Sequence, residues 1–290
     1  MIYDAAIIGT GPAGLSAALN LQIHGKNFLW IGSGALSDKV GKAEKIANYP
    51  GFADVSGAQL NEAFRRQVAA KGLEITDRMV NSVVPMGEHY AILAGSEFYE
   101  AKAILLATGI TNTGTLPGEQ ALVGMGVSYC ATCDGPLFRG KTIAVFCNNA
   151  RFEHEVKYLA ELAEKVYYFP TYRQVGQLPD NVVSAPDKPR AIAGEGRVSG
   201  VVLRSGEELP VDGVFCLRDS VSLATLLPAL ATEQGHIAVN RSMATNLPGV
   251  FAAGDCTGRP YQYAKAVGEG NVAAHGIIEY LAQREKEDAV

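Results

Sequence analysis

The sequence lacks any long run of basic residues, and its formal net charge is −5. A nucleic-acid partner is therefore not expected. Cysteine is also scarce: the five cysteines stand at positions 130, 133, 147, 216 and 256. An odd number with a single close pair does not fit the disulfide framework of a secreted protein. We expect a cytoplasmic protein in which one cysteine pair has a special task.

The start of the chain also lacks the basic residues of a targeting segment. Residues 5–23 carry no charge, and a run of that length could cross a membrane. Glycine and proline between positions 9 and 14 interrupt the run, so a strand, a turn and a helix fit it better. No membrane association is expected.

A pattern typical of nucleotide binding opens the chain. Residues 3–8 and 28–31 predict strands, and a G-x-G-x-x-G motif over 9–14 starts the helix between them. Such glycines let the backbone approach a pyrophosphate, whose charge the helix N-terminus stabilises. A mere glycine turn is the alternative. One expected feature is missing, because Gly32 and Ser33 stand where an acidic residue would bind a ribose.

The C-terminal part carries a second pattern. Residues 250–253 predict a buried strand, Gly254 and Asp255 follow it, and a long amphipathic helix is predicted from about Tyr261. Asp255 is well placed to accept hydrogen bonds from a sugar-like chain, although an ordinary turn residue is an equal alternative. The helix N-terminus can offer N–H groups to an electron-rich ring edge.

The close cysteine pair, Cys130 and Cys133, is followed by Asp134. A structural zinc site needs about four ligands, and neither a second Cys-x-x-Cys nor a histidine cluster exists to supply them. A structural disulfide closing so short a loop would gain little stability. A redox-active pair is the better interpretation, because this spacing favours a low thiol pKa and a readily exchanged disulfide. Asp134 is either a proton carrier or a helix N-cap, and the two roles are compatible.

Together these segments resemble the flavoprotein disulfide reductases, and closely the low-molecular-weight thioredoxin reductases. The motifs that carry the resemblance are "GTGPAG", "ANYPGF", "LLATG", "GVSYCATCDGPLF" and "GVFAAGDC". The resemblance implies an FAD cofactor. The residues it assigns to FAD are Gly9, Gly11, Pro12, Ala13, Gly14, Ser33, Asn48, Ala107, Thr108, Gly109, Gly254, Asp255, Gln262, Tyr263 and Ala264.

The resemblance also implies roles for the redox motif. Cys133 would face the flavin, Cys130 would attack the substrate disulfide, and Asp134 would carry protons during exchange. The implied fold class is α/β, with two Rossmann-like domains, the second inserted into the first. We predict an FAD-binding domain over 1–112 and 243–290, and a redox-dithiol domain over 113–242.

The resemblance fails at the nicotinamide site of the second domain. A strand–helix–strand is predicted over 141–169, but Cys147, Asn148 and Asn149 stand where the family has glycines, and Phe152 replaces a small residue. Such side chains block the close backbone approach that a pyrophosphate needs. The basic run that would bind a 2′-phosphate is replaced by residues 170–172, "PTY". The aromatic residues of this segment either fill part of the space that a nucleotide would occupy or belong to the ordinary core.

An intact FAD site and dithiol beside a degenerate nicotinamide site resemble the ferredoxin-dependent flavin thioredoxin reductases. The predicted function is therefore reduction of thioredoxin, or a thioredoxin-like protein, by a homodimeric enzyme that receives its electrons from ferredoxin. Two alternatives stay open: an NAD(P)H-dependent reductase with an atypical nucleotide site, and a flavin-bearing redox sensor without turnover.

Overall fold

The computed structural model describes residues 1–41, 43–109, 116–129, 131–218 and 226–287, with the side chains of Asp38, Lys39, Gln120 and Cys133 left out. The strands in chain order are β1 (Ile2–Ile8), β2 (Phe28–Gly32), β3 (Thr76–Asp77), β4 (Val80–Pro85), β5 (Tyr90–Ala94), β6 (Glu97–Leu106), β7 (Val127–Ser128), β8 (Thr142–Cys147), β9 (Lys165–Pro170), β10 (Val182–Ser184), β11 (Pro189–Ala193), β12 (Gly200–Leu203), β13 (Glu208–Pro210), β14 (Gly213–Leu217), β15 (Thr232–Glu233), β16 (His236–Ile237) and β17 (Val250–Ala252). The α-helices are α1 (Pro12–Ile23), α2 (Asp38–Gly41), α3 (Gly57–Ala70), α4 (Ala131–Asp134), α5 (Glu153–Leu162) and α6 (Tyr263–Glu287).

The chain forms two compact units. Unit 1 consists of Met1–Thr111 and Leu226–Val290, and unit 2, Asn112–Thr225, is inserted between them. Residues 226–242 thus belong to unit 1, whereas the sequence suggested a boundary at 242. Local contacts explain the difference: the Ala231 N–H donates to Asn246 Oδ1 over 2.8 Å, and His236 Nε2 is hydrogen-bonded to the Tyr261 hydroxyl over 2.7 Å.

A seven-stranded sheet with the order β3-β2-β1-β6-β5-β4 forms the centre of unit 1, and β17 pairs with β6. Strands β2, β1, β6 and β17 run parallel, while β4 and β5 form an antiparallel extension. The parallel strands are apolar and buried, as expected where helices cover a sheet. Helix α1 carries no charged residue and packs closely on α6: a Cβ atom added at Gly270 would lie 2.1 Å from the Ala13 carbonyl oxygen.

A five-stranded parallel sheet with the order β10-β9-β8-β14-β7 forms the centre of unit 2. Helix α5 connects β8 to the adjacent parallel strand β9 and packs its apolar side, including Val156 and Leu159, into the core. The predicted strand–helix–strand is therefore present. A small antiparallel sheet of β11, β12 and β13 completes the unit. Among the described residues, no helix is both long and apolar enough to cross a membrane.

Candidate functional site

The carboxyl ends of four neighbouring parallel strands carry most of the predicted FAD residues. Gly9 follows β1, Ser33 follows β2, Ala107 follows β6, and Gly254 lies two residues beyond β17. Because the strands are parallel and adjacent, their carboxyl ends share one edge of the sheet. In open α/β sheets this edge is where ligands bind.

The surroundings of the glycines at positions 9, 11 and 14 differ, and so does the effect of adding a side chain there. Gly9 has φ +116°, and an added Cβ would lie 2.2 Å from the Ala107 carbonyl oxygen. At Gly14 an added Cβ would lie 2.0 Å from the Gly9 carbonyl oxygen. These two glycines are required by packing within the protein. Gly11 differs, because an added Cβ there would meet no described atom within 4 Å, so the space beside it is open.

The loop after β17 is held by an ion pair that sequence reasoning missed. Lys265 Nζ donates to the carbonyl oxygens of Gly254 (3.0 Å) and Gly258 (2.9 Å) and contacts Glu269 Oε2 at 3.0 Å. Glu269 Oε2 also accepts the Gly254 N–H over 2.8 Å. This pair fixes the backbone on which Asp255 stands. The four-residue spacing of Lys265 and Glu269 at the start of a helix was a usable signal.

The remaining predicted FAD residues occupy varied surroundings in unit 1. Pro12 and Ala13 begin α1, and Tyr263 and Ala264 begin α6. Asn48 and Gln262 are exposed, and Gly109 has φ +66°. Thr108 Oγ1 is buried and has no hydrogen-bond partner in the part of the chain that the structure describes. This buried hydroxyl at the sheet edge and the open space beside Gly11 both fit a bound FAD.

No acidic residue follows β2 directly, but the adjacent strand β3 supplies one, Asp77. Asp77 is paired with Gly32, and an added Cβ at Gly34 would lie 3.1 Å from Asp77 Oδ2. The side chain of Ser33 is engaged locally, because its Oγ accepts the Ala35 N–H over 3.2 Å. A carboxylate is therefore present at the end of β2, although it comes from the adjacent strand and no local sequence pattern predicts it.

The redox motif lies in unit 2, between β7 and a 3-10 helix, Gly135–Phe138. Cys130 lies outside the described residues, and for Cys133 only the position in α4 is described. Asp134 is half-buried and ends α4. Its side chain does not cap the following 3-10 helix, which was the alternative role. The Ser128 hydroxyl instead donates to Asp134 Oδ2 over 2.6 Å.

A buried ion pair stands beside the redox motif. Arg218 donates through Nη1 to Glu119 Oε1 (2.7 Å) and through Nη2 to Glu119 Oε2 (3.0 Å). The Tyr129 hydroxyl donates to the same Oε1 over 2.8 Å. Glu119 is fully buried, so its charge depends on these partners. The residue that precedes Cys130 is thereby tied to the core of unit 2.

Breaking this pair is expected to destabilise the protein strongly. Glu119→Gln removes the negative charge and leaves the buried Arg218 guanidinium uncompensated, which costs about 3 kcal/mol of unfolding free energy. Urea denaturation measures the loss, with Glu161→Gln on the exposed side of α5 as the matched control. Equal stability of the two variants would contradict the assigned role of the pair.

The other three cysteines, Cys147, Cys216 and Cys256, are free and buried. Burial raises the pKa of the Cys216 thiol and raises the pKa of Cys256 to about 12. The Cys256 Sγ donates to the carbonyl oxygens of Leu106 (3.4 Å) and Ala253 (3.3 Å). These thiols are packed as small apolar groups rather than reactive ones.

A cluster of hydrogen-bonded side chains stands at the start of α5, the helix whose N-terminal end would face the pyrophosphate of a nicotinamide dinucleotide. Glu153 opens α5, and its Oε1 accepts hydrogen bonds from the Tyr172 hydroxyl (2.7 Å) and from the Gly176 N–H (2.9 Å). Tyr172 is in turn hydrogen-bonded to Tyr168, which is buried beside Phe152 in the core. Phe152 and Tyr168 thus belong to the ordinary core, whereas Tyr172 is partly buried and contacts Glu153 at the start of α5.

The Glu153 carboxylate is held in its charged form. The hydrogen bond from the Gly176 N–H, and then the one from Tyr172, lower the pKa of Glu153 below its usual value. The missing side chain of Gly176 permits the approach, because an added Cβ would lie 2.5 Å from Glu153 Oε2. A negative charge therefore stands at the helix terminus that would otherwise attract a phosphate.

Comparison with known proteins agrees with this architecture. The model of the pyridine nucleotide-disulphide oxidoreductase family matches residues 3–146 and 183–270, and the chain belongs to this family. Within it, the chain is 33% identical to the thioredoxin reductase of Listeria innocua, over 97% of this chain and 95% of that protein. The family match omits 147–182, the segment that contains Glu153 and Tyr172.

Solved structures show the same likeness over nearly the whole chain. A crystal structure of a ferredoxin-flavin thioredoxin reductase from Clostridium acetobutylicum has a TM-score of 0.91 and 45% identity, covering 98% of this chain and 99% of that one. A thioredoxin reductase from Gloeobacter violaceus has a TM-score of 0.80 and 28% identity, covering 97% and 95%. The predicted family, the α/β fold class and the class of FAD-dependent disulfide reductase are confirmed.

Proposed function

We propose that this protein reduces the disulfide of thioredoxin, or of a thioredoxin-like protein, with electrons from reduced ferredoxin. The relatives support thioredoxin as the substrate, and the Clostridium acetobutylicum enzyme supports ferredoxin as the donor. FAD, when bound, supplies a carrier that can be filled one electron at a time and can pass an electron pair to a disulfide. Reducing one substrate disulfide consumes two electrons, from two reduced ferredoxins, and two protons.

The observation that carries the choice of donor is the Glu153 carboxylate at the start of α5. NADPH would need to place its pyrophosphate at this helix terminus, beside a backbone free of side chains. Here a carboxylate occupies the turn and is held by Tyr172 and Gly176. Two anions at one site repel each other, and Glu153 is covalently attached, so the nucleotide is the one excluded.

The two units would divide the work. We propose that unit 1, Met1–Thr111 with Leu226–Val290, binds FAD at the edge built from Gly9, Ala107 and Gly254. The inserted unit 2, Asn112–Thr225, would carry the Cys130–Cys133 pair, which accepts electrons from the flavin and passes them to thioredoxin by thiol–disulfide exchange. Asp134 would supply and receive the protons of that exchange. The homodimer expected from the resemblance stays a prediction.

Anaerobic reduction of the bound flavin tests the donor. Chemically reduced ferredoxin is expected to bleach the flavin absorbance rapidly and to support thioredoxin reduction, whereas stoichiometric NADPH or NADH leaves the flavin oxidised over the same interval. Fast bleaching by NADPH with none by ferredoxin would establish the pyridine-nucleotide alternative instead. Bleaching by ferredoxin without any appearance of thioredoxin thiols would favour a sensor without turnover.

A further inference from the structure

Ser128 is anchored next to the redox motif by the central sheet of unit 2. It ends β7, where it is paired with Phe215 of β14, and Val127 is paired with Val214. Its side chain is buried, with 5% of the residue exposed. The position of its hydroxyl is therefore set by parallel strand pairing in the core rather than by the short helix that carries the redox motif.

The Ser128 hydroxyl reaches across the motif to Asp134. The distance from Oγ to Asp134 Oδ2 is 2.6 Å, which is that of a short, well-formed hydrogen bond. Asp134 ends the four-residue helix α4, and its side chain makes no cap to the next turn. The Ser128 contact fixes one carboxylate oxygen and thereby the orientation of the other.

Other polar groups pack on the same short helix. Glu155 of α5 is half-buried near the backbone of Ala131, and burial raises the pKa of its carboxyl group. Tyr158 of α5 approaches Gly135, where an added Cβ would lie 3.3 Å from its ring. On the other side, the Tyr129 hydroxyl is directed to Glu119 rather than to Asp134. Among these groups, Ser128 is the one whose hydrogen bond to Asp134 is seen directly.

We propose that Ser128 is a positioning residue for disulfide reduction, and that it acts by holding the Asp134 carboxyl group in place. The inference rests on the proposed function and concerns its proton-transfer step. In that step Asp134 takes the proton of an enzyme thiol, and the resulting thiolate attacks the thioredoxin disulfide, so that a mixed disulfide forms and the old S–S bond breaks. The departing thiolate takes that proton back from Asp134, whose carboxyl group Ser128 already holds in one orientation.

A double-mutant cycle on the FAD-loaded enzyme tests the proposal. The enzyme is reduced anaerobically, mixed with oxidised thioredoxin, and the rate constant for thiol formation is measured in a single turnover. Ser128→Ala is expected to slow this step about tenfold, as for a lost hydrogen bond to a charged group. In the Asp134→Asn background the same substitution is expected to change the rate by less than about twofold, because the carboxyl group through which Ser128 acts has been removed.

Two further variants separate positioning from general damage. Ser128→Thr keeps a hydroxyl and is expected to recover most of the lost rate. Tyr129→Phe removes the neighbouring hydroxyl, which contacts Glu119, and its effect is expected to add independently to that of Asp134→Asn. Equal losses from Ser128→Ala in both backgrounds, or a fast Asp134→Asn enzyme, would overturn the proposal. A wild-type enzyme that does not reduce thioredoxin would instead refute the proposed function.

Discussion

Replacing either Cys130 or Cys133 by serine is expected to lower thioredoxin reduction by at least about a thousandfold, because the two sulfurs act as a unit. A single thiol cannot both accept an electron pair as a disulfide and return it by exchange. FAD content should not change, since the glycines and the buried Thr108 hydroxyl predicted to hold the cofactor lie in unit 1. Turnover is measured anaerobically with reduced ferredoxin by counting new thioredoxin thiols.

The buried free cysteines provide the matched control. Cys147→Ala removes a thiol whose pKa burial raises, and it should keep turnover within about threefold of wild type. A thioredoxin with a single cysteine, activated as its thionitrobenzoate disulfide, then identifies the attacking thiol. The serine variant that keeps this thiol releases thionitrobenzoate and forms a stable mixed disulfide, whereas the other variant does not. Full turnover in both serine variants would refute a dithiol mechanism.

The fold was largely predictable because its signals are local. The β1–α1–β2 unit follows from apolar strands around a glycine motif, and the structure differs at the strand ends by one residue. Helix α5 begins only at Glu153, because Asn149 caps a 3-10 turn over 150–152 by accepting the Arg151 N–H. Helix α6 begins at Tyr263, two residues after the predicted start near Tyr261.

The functional site could be predicted where the residues of one sequence motif form it. Contacts between residues that are distant in the sequence were missed. The absence of glycines at 147–149 predicts that this loop does not bind a nucleotide pyrophosphate. The position of the Glu153 carboxylate depends on Tyr172 and Gly176, about twenty residues along the chain, and no sequence pattern joins them to Glu153. The hydrogen bond between Ser128 and Asp134 could not be predicted either. It depends on the position of Ser128, which the pairing of β7 with β14 sets.

Alanine variants at positions 11 and 14 are expected to lose different properties: Gly11→Ala loses affinity for FAD, and Gly14→Ala loses stability. Gly11→Ala should fold with nearly unchanged stability, because φ −73° and ψ −176° suit alanine and the new Cβ meets no protein atom. It should bind FAD at least about tenfold more weakly, because the methyl group enters the space left for the pyrophosphate. Flavin content after dialysis and the dissociation constant for added FAD measure this loss.

Gly14→Ala is the contrasting variant. Its Cβ would lie 2.0 Å from the Gly9 carbonyl oxygen, so α1 must move away from the end of β1. Overpacking of this kind costs about 3 kcal/mol of unfolding free energy or more, and saturating FAD should not restore it. The melting temperature with and without excess FAD separates the two variants. If Gly11→Ala kept its full FAD content, the open space beside Gly11 would not be where the cofactor's pyrophosphate binds, and the assignment of this sheet edge to FAD would fail with it.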